Sequence, residues 1–272
     1  MRRFLLAVVM CGAMTAANAA DLPILRGGFT DGLSTSSVNW EGFYIGGQAG
    51  YGSSDENFTG SNSNMIAALL DHDVIQAMQV SSWNLGMGKQ SARSSGFGAF
   101  TGYNWQWDDV VLGLEASWVH GSFGGTSSAF KELVTGTPLS DNNYHDVAVT
   151  SSSSISISDM ATFRGRAAYA FGCFLPYAFG GFALGNANIS HAVSISDTFA
   201  PTLAGLASAS PVILSTSDVQ HNHLIYGYTA GLGIDINIVG GLFARAEYEY
   251  VRFTTSVDTN INTVRAGLGY KF

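Results

Sequence analysis

From Trp40 onward the chain repeats one pattern, in which bulky apolar residues alternate one by one with Gly, Ser, Thr, Asn and charged residues. The last segment shows it best, with Val264, Ala266, Leu268, Tyr270 and Phe272 on one face and Thr263, Arg265, Gly267, Gly269 and Lys271 on the other. A two-residue period places the two sets on opposite sides of a strand. Before it, Leu242, Ala244, Ala246, Tyr248 and Tyr250 alternate with Arg245, Glu247 and Glu249. Leu224, Tyr226, Tyr228, Ala230, Leu232, Ile234 and Ile236 alternate with Gly227, Thr229, Gly231, Gly233 and Asp235.

Five earlier segments fit the same rule, their apolar sets running Phe43 to Tyr51, Phe97 to Trp105, Val110 to Trp118, Phe163 to Phe171 and Leu175 to Ala183. Their opposite faces carry Tyr44, Gln48, Asn104, Glu115, Ser117, Arg164 and Arg166. Eight strands result. Their connections alternate: short at 106–109, 172–174 and 237–241, long at about 52–94, 121–158 and 186–222, with a smaller one near 254–260. Short turns on one side opposite long loops on the other predict an eight-stranded antiparallel transmembrane β-barrel. A soluble barrel would turn the apolar face inward and the charged face to water. The polar face here is mostly Gly with charges of both signs, and aromatics mark the ends of the apolar bands, so lipid contact is the better reading.

The first residues address the chain to such a membrane. Arg2 and Arg3, the apolar run Phe4 to Met10 and the small residues ending in Ala17-Asn18-Ala19 have the order of a secretory signal, expected to span 1–19. The run is too short to cross a bilayer, which takes about 20 residues. Arg2-Arg3 lacks the rest of a twin-arginine consensus, and Met10 is too bulky to precede a lipidated Cys11. Residues 20–39 lack an apolar period and read as a periplasmic lead, leaving 40–272 for the barrel.

Past the signal the one cysteine is Cys173, so no internal disulfide is expected. The chain has 20 acidic against 12 basic residues, two of the latter in the signal. Such an acidic protein is unsuited to nucleic acid, whose affinity rests on Lys and Arg neutralising phosphates.

Charges on the polar faces would point into the barrel: Glu115, Asp235, Glu247 and Glu249 against Arg164, Arg166, Arg245, Arg265 and Lys271. An eight-strand barrel has an interior about filled by its own side chains, so these read as an ion-paired plug rather than a narrow pore. The carboxylates make no hydrolase pair, since each has an arginine to meet. His120 and Ser122 share a strand face, but no acid at matching spacing and parity orients His120, so no enzyme is expected. His221 and His223 top the sixth strand and His191 lies beyond the fifth, which makes them candidate ligands to a haem iron if one is bound; otherwise they are loop histidines, and no metal spacing accompanies them. Asn57-Phe58-Thr59 fits a glycosylation pattern by composition alone. Residues 64–80, with Met65, Ile66, Leu69, Leu70, Val74, Ile75 and Met78, could place a short apolar helix over the mouth.

Several segments also carry a family resemblance: Trp40-Glu41-Gly42-Phe43-Tyr44-Ile45-Gly46-Gly47, Gly102-Tyr103-Asn104-Trp105, Arg164-Gly165-Arg166, Leu175-Pro176-Tyr177, Ala244-Arg245-Ala246-Glu247-Tyr248 and Val264 to Phe272. Together they resemble the outer-membrane immunogenic proteins of alphaproteobacteria, small barrels that include haemin-binding members. The resemblance implies an outer-membrane location, contact with outer-membrane lipids, a surface-exposed and mainly structural role with haemin as a possible ligand, and Tyr270 and Phe272 as the signal read by the outer-membrane assembly machinery. A lipid A-modifying enzyme would be a more distant reading.

Overall fold

A computed structural model describes residues 38–255 and 257–272. The signal and nearly all of the lead lie outside these residues. Eight strands follow one another: β1 (Gly42–Asn57), β2 (Lys89–Trp107), β3 (Val110–Val134), β4 (Tyr144–Tyr169), β5 (Phe174–Ala200), β6 (Val212–Val239), β7 (Leu242–Phe253) and β8 (Asp258–Lys271). Each pairs antiparallel with the next, and β8 returns to β1 through the register from Tyr44↔Lys271 to Asn57↔Asp258. Closure leaves no free edge at membrane depth, which is the condition for a sheet to cross a bilayer. At the tight turns the backbone becomes left-handed at Asp108 (φ 51°), Gly172 (φ 58°) and Gly240 (φ 57°); glycine takes this conformation without steric cost and aspartate tolerates it.

The alternation decides which way each side chain points. Phe43, Ile45, Phe97, Trp105, Leu112, Leu114, Trp118, Phe163, Leu232, Tyr248, Val264 and Leu268 all stand exposed on the outer wall. On β5 the expected parity is reversed. Leu175, Tyr177, Phe179 and Ala183 are buried inside, whereas Phe174 and Phe182 face out, Phe182 with 75% of its surface exposed. Both faces of this strand are apolar, so alternation alone could not orient it; on the inner face Leu175 and Ala183 join apolar clusters, while Tyr177 and Phe179 lie against Arg166 and Arg164 of β4.

The long connections also differ from expectation, because 121–158 and 186–222 are mostly strand. β3 and β4 stay paired out to Val134↔Asp146, and β5 and β6 out to Asp197↔Val212. On β4 and β5 the outer residues here are mostly Ser and Thr, while Val147, Val149, Ile155, Ile157, Ile189, Val193 and Ile195 are buried on the inner face; a few apolar residues of β3 and β6, such as Phe130 and Ile213, stay exposed. The period of two persists; only the greasy side has changed, as it must once the strand leaves lipid. The remaining tips are 135–143, which is irregular, and 201–211, which holds a 3-10 helix at Leu203–Ser208.

Between β1 and β2 a short helix, α1 (Ser63–Leu69), precedes 3-10 turns at Val74–Met78 and Val80–Ser82. The apolar helix expected over 64–80 is thus broken into three pieces. Ile66, Leu70, Ile75 and Val80 bury themselves against Val147, Val149, Val193 and Ile195 on the inner face of the β4–β5 extension.

The barrel is filled in layers. Near the short turns, Trp40, Phe100, Val111, Leu175 and Phe243 form one apolar cluster. Towards the long hairpins, Phe58, Val119, Phe123, Ile157, Met160, Ile225 and Phe253 form another. The charges lie between them.

Candidate functional site

Five strands deliver the interior charges: β3 brings Glu115, β4 Arg164 and Arg166, β6 Asp235, β7 Arg245, Glu247 and Glu249, and β8 Arg265. All are buried. Glu115 is the hub, accepting from Arg245 Nη1 at 2.8 Å, Arg166 Nη1 at 3.3 Å, Arg164 through Nε at 2.9 Å, and Tyr44 Oη at 2.6 Å. Asp235 joins Arg166 Nη2 (2.7 Å) and Arg245 Nε (2.8 Å). Arg164 reaches on to Glu247 at 2.8 Å and Glu249 at 3.1 Å, and Arg265 pairs with Glu249. Four acids thus meet four arginines, and the multiple hydrogen bonds to each offset the cost of taking these ions out of water.

Lys271 does not belong to this network. It sits at the short-turn rim, where Nζ donates to the Glu41 carbonyl at 3.0 Å. The flexible lysine stem lets its ammonium reach the rim instead of entering the charged layer.

Aromatic rings complete the layer. The Arg245 guanidinium carbon lies 3.9 Å from the Phe100 ring, Arg166 3.9 Å from Tyr177, and Arg164 4.1 Å from Phe179. Tyr177 also donates from its hydroxyl to Glu247 at 2.9 Å, and Thr229 donates to Glu249 at 2.8 Å. Tyr177 and Phe179 read as wall residues in the sequence. Their proximity in register to Arg164 and Arg166 on the adjacent β4 was the available signal for an inward orientation.

The three candidate haem ligands separate. His191 is buried on the inner face of β5, with Nδ1 2.7 Å from Ser153 Oγ, and burial holds its pKa below the ordinary histidine value. His221 and His223 are exposed on β6. His223 stands opposite Ala187, four residues of β5 or about 13 Å from His191 at 3.3 Å each, whereas His221 follows Gln220, which faces Ile189; the exposed pair and the buried His191 therefore differ in burial, and His223 also in distance along the strand.

His120 has the acid that sequence spacing did not offer. Its Nδ1 lies 2.9 Å from Asp159 Oδ1 on β4, directly across the pair, and its ring stacks beside Trp118 and meets Phe97 edge-on at the outer wall. A register shift between His120 and Phe123 takes in Ser122.

A further histidine has no counterpart in the sequence reading. His145, buried at the start of β4, directs Nδ1 to Asp197 at 2.9 Å and Nε2 to Asp141 at 3.1 Å, while its amide donates to Thr135 Oγ1. Burial raises the pKa of Asp197, and the Asn143 side chain lowers that of Asp141. The three residues tie the β3–β4 tip to β5. Among the described residues no group of three or more His, Cys, Asp or Glu is arranged to hold a metal ion.

At the other end, Tyr270 and Phe272 point outward, their rings 5.2 Å apart, and Phe272 packs 6.1 Å from Phe43 while its amide donates to the Phe43 carbonyl at 2.9 Å. The last residue is therefore held to β1 at the seam where the barrel closes.

A closed antiparallel barrel with an apolar outer wall, a rim of aromatics and an ion-paired, filled interior is an integral membrane protein of the β-barrel class. The chain belongs to the family of outer membrane protein beta-barrel domains, which it matches over residues 4–272, and its location is the cell outer membrane. It is similar to a 22 kDa outer membrane protein of Rhizobium leguminosarum bv. viciae, at 24% identity over 246 residues, covering 86% of this chain and 79% of that protein. A stretch of 72 residues is 29% identical to a 25 kDa outer-membrane immunogenic protein of Brucella ovis, covering 26% of this chain and 35% of that protein. Among solved structures, Ail, the attachment invasion locus protein of Yersinia pestis, aligns at 14% identity and a TM-score of 0.35, covering 85% of this chain and 99% of Ail. Neisserial surface protein A aligns at 12% and 0.33, covering 85% and 97%.

Proposed function

We propose that the protein is a mainly structural, antigen-like barrel that seals its own lumen and displays a rigid extension of β3–β6 at the cell surface. The observation that carries this reading is the filled interior, in which a balanced ion-pair layer lies between two apolar clusters. A pore needs a continuous wet path, and enzymatic work needs accessible groups with perturbed protonation; the carboxylates of this layer are each engaged by arginine. Outer-membrane barrels keep short turns in the periplasm, so the long hairpins face outward. Labelling intact cells with an impermeant maleimide tests this, using Ser208→Cys in a Cys173→Ser background. Reaction at the introduced thiol is expected, and protection of that thiol until the membrane is broken would reverse the topology.

Haemin binding is the second reading, favoured by the exposed His221 and His223 on one strand. A haemin titration of the refolded barrel should give an iron-ligation absorbance shift that His221→Ala/His223→Ala removes, with His191→Ala added as the third variant. No shift with the parent leaves the structural reading alone.

A further inference from the structure

Each buried acid of the barrel interior faces a base, with one exception. Glu56, near the long-hairpin end of β1, is 1% exposed and has no arginine, lysine or histidine against it among the described residues. A lone buried carboxylate carries a desolvation cost that burial of a neutral side chain does not. Its surroundings are rich in oxygen. Register places Gln90 of β2 and Thr259 of β8 directly beside it, and the side chains of Ser54, Ser94 and Thr259 are buried nearby. Several of these have already committed their protons or neighbours: Thr259 donates to the Val257 carbonyl at 3.2 Å, and Ser54 accepts from Ser94 and from the Gly124 amide.

The carboxylate also occupies a cradle. A Cβ built on Gly125 of β3 would lie 2.7 Å from Glu56 Oε2, so a larger residue there would push the carboxylate out of its present position. The fold therefore makes space for an acid without supplying its counter-charge.

We propose that Glu56 anchors a weak cation site built of oxygen ligands at the long-hairpin mouth, suited to a hard divalent ion such as calcium. Calcium accepts carboxylate, hydroxyl and amide oxygens in flexible geometry, and sites with few charged ligands work at roughly millimolar concentrations, as in extracellular modules. Burial pushes the Glu56 pKa upward while the Ser54 hydroxyl pulls it down, which is the behaviour of a carboxyl awaiting a proton or a cation.

Thermal unfolding of the refolded barrel, followed as the loss of its heat-modifiable folded band, separates the two. Millimolar calcium chloride should raise the midpoint of the parent, sodium chloride at matched ionic strength should not, and Glu56→Gln should abolish the calcium response while folding normally. Gly125→Ala, which crowds the carboxylate, should weaken the same response. Calorimetric titration with calcium gives a second readout that does not depend on stability. Equal calcium shifts in the parent and Glu56→Gln, or no heat of binding to the parent, would overturn the proposal in favour of a carboxyl that is simply protonated.

Discussion

Arg245 and Glu115, separated by 130 residues in the chain, meet at 2.8 Å across the lumen and join β7 to β3. Because Glu115 also receives Arg164 and Arg166, its loss leaves three buried guanidiniums short of an acceptor. Breaking a buried pair from one side typically costs about 3–5 kcal/mol. Glu115→Ala should therefore lower the urea midpoint of the refolded barrel far more than Lys271→Ala, whose ammonium bonds only a rim carbonyl. Equal losses in the two variants would show that the network contributes little.

The terminal aromatic makes a separate prediction about assembly. Phe272→Ala should reduce insertion into the outer membrane much more than Ile213→Ala, although both side chains are more than half exposed. Ile66, an apolar residue expected in a loop, is an unsuitable control because it is buried in the cap over β4 and β5. Equal surface levels of the Phe272 and Ile213 variants would remove the assembly role.

At the outer tip, His145→Ala should expose 136–142 to protease on intact cells, since it removes the tie between Asp141 and Asp197. Loss of buried hydrogen bonds of this kind costs about 1–3 kcal/mol. Within the β3–β6 hairpins of the parent, cleavage should be confined to 135–143 and 201–211, because the paired strands on either side resist entry. Cuts at 124–132 in the parent would contradict the continuous β3–β4 pairing.

Glu56 gives a pH dependence whose sign follows from its raised pKa. A carboxyl with a higher pKa in the folded state than in the unfolded one binds its proton more tightly when folded. Without divalent cation, its contribution is present below the ordinary carboxylate value and is lost as the pH rises through the raised one. The difference in stability between the parent and Glu56→Gln should therefore widen with pH over that window. A difference that is constant with pH would mean that Glu56 does not titrate there.

Much of this architecture was legible because a transmembrane strand imposes a period of two on its own sequence. Glu115, Arg164, Arg166, Asp235, Arg245, Glu247, Glu249 and Arg265 lie inside as their parity requires. β5 misled because Leu175, Tyr177 and Phe179 are as apolar as the outward Phe174 and Phe182, and parity has no sign when both faces are greasy. The extensions of β3–β6 looked like loops because Ser152, Ser154, Ser194 and Ser217 face water, where a strand needs no apolar outer side. Pairs such as His120–Asp159 and His145–Asp197 depend on cross-strand register, which hairpin length sets and which local pattern does not reveal.

The sealed lumen is tested most directly by planar-bilayer recording of the refolded parent barrel. With the ion-pair layer held between the Phe100–Phe243 and Phe123–Phe253 clusters, the protein should insert without conductance steps in neutral salt, over long recordings and at either polarity. Stable, uniform single-channel steps from folded protein would contradict a structural barrel and return the narrow-pore reading.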